Sequence, residues 1–141
     1  MKLTLQRQEA PFRFDLQNPQ GFTLSTDASV KAGGSEQGFR PMELLLAGLA
    51  SCTSIDVVLI LQKQKQTIDD YRVEVSGNRA EGTPSVFTDI HLHFVLSGDL
   101  DPKKVDRAIH LSLEKYCSAA AMLSQTAQIT ADFELTSPTE G

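Results

Sequence analysis

Residues 40–66 read RPMELLLAGLASCTSIDVVLILQKQKQ, and the fold turns on how this stretch is read. Pro41 suits the first turn of a helix, where its missing N–H is not needed. Met42, Glu43, Leu44, Leu45, Leu46 and Ala47 are good helix formers. Alternating Gln and Lys from Gln62 to Gln66 make a wet end, so one long helix is expected from Pro41 to about Gln66. Its middle is apolar nearly all round. Such a helix has to be covered on every side, which a chain of 141 residues scarcely manages alone. A subunit interface is therefore expected. A membrane span is the competing reading. The uncharged run 44–55 is only twelve residues, short of the roughly 20 a span needs, and Glu43 and Asp56 would place carboxylates in lipid at high cost.

Upstream of this helix the pattern is that of short strands. Leu3 and Leu5 alternate with polar neighbours, as do Phe12, Phe14 and Leu16, then Phe22 and Leu24. Asn18-Pro19-Gln20-Gly21 is a turn signal between them. Residues 31–38 (KAGGSEQG) read as a flexible loop; no Lys-Ser/Thr follows the glycines, so a phosphate cradle is not indicated. Downstream, residues 71–78 and 87–96 alternate as two strands joined by a Gly82-Thr83-Pro84 turn, which predicts an antiparallel hairpin. Asp101 caps a second helix with Pro102 at its first position. Val105, Ala108, Ile109 and Ser112 form its inner stripe, widened by Leu111, Leu113 and Tyr116. The pattern restarts near Cys117, with Ser118 as N-cap of a short helix over 119–123. A last strand alternates, with Ile129, Ala131, Phe133 and Leu135 inward. Runs of strands, then helix, hairpin, helix and strand, give an α+β fold. The expected architecture is a single domain over residues 1–141, with antiparallel strands and two main helices.

Composition narrows the function classes. Apolar residues are 40% and charged residues 22%, which is globular. Thirteen basic and eighteen acidic residues leave a net charge of −5, the wrong sign for a protein that grips phosphates, so no nucleic-acid partner is expected. Two cysteines are too few for a secreted disulfide scaffold. Residues 1–10 carry no apolar leader segment, so the cytoplasm is the expected compartment and a membrane is not a partner.

Few residues offer chemistry. His91 and His93 share one strand face at a spacing that can hold a metal, but that face is polar and no third ligand follows nearby in sequence. A solvent-exposed pair is the simpler reading. His110 reads as a packed or half-exposed histidine. No hydrolase or zinc-protease motif and no cofactor motif is present. Cys52 and Cys117 are more informative. Buried free cysteines often serve as inert small hydrophobes. Against that, Cys52 is flanked by Ser51, Thr53 and Ser54, an unusual polar patch inside an apolar helix. Cys117 precedes a helix start, where amide dipoles favour a thiolate. One reactive and one resolving thiol suffice for two-step oxidation chemistry. Asp56 follows Cys52 by four residues on the same helical face; a role as structural or interface anchor is favoured for it over a role beside the thiol.

The run Arg40-Pro41-Met42-Glu43-Leu44, then Cys52, then Ile55-Asp56-Val57-Val58 resembles the OsmC/Ohr family of osmotically inducible and organic hydroperoxide resistance proteins, and within it the YhfA-like branch. Cys117 and the closing strand match the family's second cysteine and last strand. The resemblance covers about residues 30–136. It implies an OsmC-like fold in an intertwined homodimer and thiol-dependent reduction of organic hydroperoxides. In that scheme Cys52 attacks the peroxide, Cys117 resolves it to a disulfide, and a dithiol, lipoyl-type in Ohr proteins, resets the pair without a bound cofactor or metal. The family activates its cysteine with an Arg held by a Glu. Here the position of that Glu falls on Met42, and Glu43 lies nine residues before Cys52, half a turn away round the helix. Arg40 is the nearest candidate cation, Arg7 and Arg13 more distant ones. The expected site set is Cys52 and Cys117 with Arg40 and Glu43. The alternative is a non-catalytic OsmC-like dimer that binds a small apolar ligand or a partner in its cleft.

Overall fold

The computed structural model describes residues 1–137, which divide into two compact units that meet within the long helix, between Leu45 and Leu46. In the first unit, β1 (Thr4–Glu9), β2 (Arg13–Gln17) and β3 (Thr23–Thr26) form an antiparallel sheet in chain order. The expected turn is present. Asn18 accepts the Gly21 N–H at its backbone carbonyl and the Phe22 N–H at Oδ1, and Gly21 takes the left-handed conformation (φ 91°) that suits glycine. The loop that follows is more fastened than its composition suggests. The buried Asp27 carboxylate accepts the backbone N–H groups of Ala28, Ser35 and Gln37, and these bonds, Gln37 foremost, hold its carboxyl below the ordinary range. A 3-10 turn (Val30–Ala32) lies within this loop.

Helix α1 runs Pro41–Lys63. It stops three residues before Gln66 because Lys65 turns left-handed (φ 57°) and the Gln66 N–H folds back to the Leu61 carbonyl, the bond pattern that commonly closes helices. Leu49, Thr53, Val57 and Leu61, spaced by four, form its buried stripe. Ile55 is 63% exposed, and Leu45 and Leu59 are exposed too. Among the described residues α1 is the one helix long and apolar enough to cross a membrane, and 22% of its most apolar stretch is buried within the single chain.

The second unit is built on β4 (Thr67–Arg79), β5 (Phe87–Asp99) and β6 (Gln128–Thr136), in sheet order β4-β5-β6. The hairpin β4–β5 is antiparallel as expected and longer than the alternation alone suggested. The expectation of antiparallel strands needs one correction. β6 pairs with β5 in parallel, Asp89 opposite Gln128 through Ser97 opposite Thr136. The helical segment between the two strands returns the chain to the start of β5 before β6 begins, so both strands run the same way.

Within that segment, α2 (Pro102–Leu111) starts at Asp101, whose side chain accepts the Lys103 N–H at 2.9 Å. Its inner stripe is the expected one: Val105, Ala108, Ile109 and Ser112 are all buried. After Leu111 the winding loosens into one π turn (Ser112–Tyr116) that the sequence reading took for continued helix. Tyr116, expected inward, is 52% exposed as a result. Helix α3 (Ser118–Leu123) then begins one residue earlier than expected, and its cap is Cys117 rather than Ser118. The buried apolar residues of this unit include Leu49, Val57 and Leu61 of α1, Phe87, Ile90, Leu92, Phe94 and Leu96 of β5, and Val105, Ala108 and Ile109 of α2.

Candidate functional site

Cys117 occupies the break between the π turn and α3. Its backbone is extended (φ −75°, ψ 109°), and its Sγ accepts the Ala120 N–H at 3.3 Å, satisfying one of the bare amides of a helix start. From α1, the fully buried Thr53 donates its hydroxyl to the same sulfur at 3.4 Å. Cys52, the next residue of α1, is half-buried, whereas Cys117 is 3% exposed. The Cys52 and Cys117 sulfurs and an Asp56 carboxylate oxygen all lie within 4.8 Å of one another. Burial pushes the Cys117 thiol above its ordinary value. A charge on Cys52 adds to that, while the Thr53 and Ala120 bonds work the other way.

Asp56 is thus close to both sulfurs, and it also serves the structural anchoring expected of it from sequence. Its Oδ2 accepts the hydroxyl of Ser112 at 2.8 Å, which ties α1 to the first residue of the π turn. A groove of about 390 Å³ runs beside Asp56, lined by Leu59, Ile60, Leu111 and Tyr116 and by the polar Lys63 and Gln64. Thr53 and Ser112 are the site residues that sequence reasoning missed. Thr53 was within reach, since it continues the four-residue spacing of Leu49 and Val57. Ser112 had been placed in the buried stripe, but nothing local paired it with Asp56.

Arg40 and Glu43 belong to the first unit. The Arg40 guanidinium pairs with Glu36 at 3.0 Å, and Glu43 reaches back to accept the Arg40 backbone N–H at 3.0 Å. The second bond is half of a capping box, so Glu43 serves the start of α1. His91 and His93 lie on the solvent side of β5, and β6 does bring them a third group. Asp132 Oδ1 is 3.0 Å from His91 Nε2 and 2.7 Å from His93 Nδ1. His110 is exposed on α2, with its Nδ1 2.8 Å from the Asp106 carbonyl.

The sequence pattern of the OsmC-like protein family matches residues 33–132, well over half of the chain and including both cysteines. The chain belongs to this family. Protein YhfA of Escherichia coli K12 is 46% identical over 96 residues, covering 67% of this chain and 72% of that protein. Among solved structures, a hypothetical protein from Aquifex aeolicus VF5 superposes with a TM-score of 0.84 at 28% identity, covering 98% of this chain and 97% of the other. An organic hydroperoxide resistance protein OsmC from Legionella pneumophila superposes with a TM-score of 0.71 at 15% identity, covering 94% and 96%. That last likeness is one of fold. The OsmC-like fold of α and β elements expected from sequence is therefore the one observed.

Proposed function

We propose that this OsmC-like chain reduces organic hydroperoxides with its cysteine pair. The observation that carries the proposal is the meeting of two sulfurs 65 residues apart in sequence. Their environments suit different roles. Cys52 is the more exposed, so it meets the substrate. Its thiolate attacks the O–O bond, the alcohol leaves with a proton, and Cys52 becomes a sulfenic acid. Cys117 is buried and its thiol held high, so it waits as thiol. It then attacks the sulfenic sulfur and water leaves as the disulfide forms. A dithiol reductant, of the lipoyl type used by relatives that the sequence resembles, reopens the bridge by thiol exchange. Activation of Cys52 as a thiolate, and of the leaving oxygen, calls for a cation beside it. In the groove beside Asp56, the apolar part of a mixed lining, Leu59, Ile60 and Leu111, gives the organic group of an alkyl or aryl hydroperoxide a surface that hydrogen peroxide cannot use.

The working unit is proposed to be a homodimer. Along α1, Ala47, Gly48, Ser51, Ile55 and Leu59 form an exposed stripe of small and apolar residues, a surface that lets a second helix approach closely. Stoichiometric consumption of an alkyl hydroperoxide with a dithiol tests the chemistry. Cys52→Ser abolishes consumption, and Cys117→Ser stops after one turnover with a trapped sulfenic acid. Equal consumption by wild type and Cys52→Ser would remove the enzymatic reading. The same groove would then favour a non-catalytic dimer that takes a small apolar ligand.

A further inference from the structure

We infer that the reduced cysteine pair, together with Asp56, is a zinc site. Three ligand atoms of two kinds converge: two sulfurs and a carboxylate oxygen, mutually within 4.8 Å. On a tetrahedral zinc, with Zn–S about 2.3 Å and Zn–O about 2.1 Å, such atoms sit roughly 3.4–3.8 Å apart. The preformed cluster, within 4.8 Å throughout, therefore needs to contract by at most about 1 Å to close on a metal, within reach of side-chain rotation. Thiolates select soft or borderline metals, and a mixed sulfur and oxygen set without redox demand suits Zn²⁺ over Mg²⁺ or Ca²⁺.

The surroundings are those of a held ligand set. Ser112 fixes one Asp56 oxygen and so turns the carboxylate as a whole, and Thr53 and Ala120 fix the Cys117 sulfur. Such outer hydrogen bonds orient ligands in known metal centres. Cys52 and Asp56 are half-buried, so the fourth position faces outward and takes a water. The balance is simple: Zn²⁺ enters, two thiol protons leave, and no electrons move. Zinc and a Cys52–Cys117 disulfide exclude each other because both need the same sulfur lone pairs. The metal therefore shields the reduced pair from peroxide and alkylating agents alike.

Binding is measured on the reduced full chain with Zn²⁺ against a chromogenic chelator, and with Co²⁺ by absorption. The expected result is one ion per chain, with a thiolate-to-cobalt charge-transfer band. Protein blocked at both thiols with iodoacetamide loses the ion. Asp56→Asn weakens binding, and Ser112→Ala weakens it about 10-fold or more. The double variant His91→Gln/His93→Gln leaves stoichiometry and affinity unchanged. No charge-transfer band, or binding that survives thiol blocking and vanishes in the histidine variant, overturns the inference and moves the ion to the strand face. Peroxide consumption by metal-free protein is scored separately, so zinc binding stands or falls independently of the catalytic reading.

Discussion

Thr53 shows how one side chain links the helix to the chemistry. Its hydroxyl donates to the Cys117 sulfur and is one of the two bonds that hold that thiol down against burial. Thr53→Val keeps the volume and removes the donor. The Cys117 thiol then rises further, and disulfide formation in a single turnover slows, while stability falls by only about 1 kcal/mol. An unchanged rate of disulfide formation rejects this role. The residue types of the site were legible before the fold was known: two cysteines, one with an unusual polar escort, and Asp56 one turn along. What could not be read was the Ser112–Asp56 bond, which joins residues 56 apart in sequence. Helical periodicity reports which face a residue occupies and carries no information about what a distant element sets opposite it.

The elements were legible to the extent that their hydrophobic period persisted. The alternation of β6 is present as read, with Ile129, Ala131, Phe133 and Leu135 the more covered face along its length, whereas the four-residue buried stripe of α1 was hidden in a helix that reads as apolar nearly all round. The π turn escaped because one extra residue in a helical turn leaves composition and spacing almost unchanged. The parallel direction of β6 escaped because alternation is the same for either direction. That parallel ladder carries a pH signature. Asp132 bonds His93 foremost, which holds the Asp132 carboxyl below its ordinary value near 3.8 and His93 above its ordinary value near 6.5. The aspartate contribution is present above about pH 3.8 and is lost as pH falls through its lowered folded value. The histidine contribution is full below about pH 6.5 and is lost as pH rises through its raised value. Asp132→Asn therefore flattens both limbs in a series of denaturation midpoints against pH; a wild-type profile retained in this variant contradicts the assignment. On the other side of β5, Gly98 (φ 138°) lies opposite the irregular pairing of Ile68 to Asp70, and an added Cβ there would overlap the Thr67 carbonyl. Gly98→Ala is expected to lower stability by about 1–3 kcal/mol, read from urea midpoints; a neutral result shows that the bulge can relax.

For the molecule as a whole, the decisive quantity is the uncovered apolar surface of α1. With Ile55 63% exposed at the middle of the helix, a partner copy is expected to bury an interface of the obligate class, above roughly 2,000 Å². Ile55→Lys, which puts a charge in that stripe, is expected to yield monomer or aggregate in light scattering where wild type gives a dimer. A stable folded wild-type monomer at micromolar concentration contradicts the assembly. The sheet order β4-β5-β6 has a different kind of consequence, one of timing. β4 and β5 are neighbours in sequence and can zip together as soon as both have left the ribosome. The other edge of β5 must wait for β6, whose first paired residue, Gln128, comes 39 positions after its partner Asp89. At typical synthesis rates of about 5–20 residues per second, the most buried strand of the unit spends some seconds with one row of backbone groups unpaired. A nascent chain stalled in that interval displays an open apolar edge, which makes it a client for chaperones and a seed for strand-to-strand association between neighbouring polysomes.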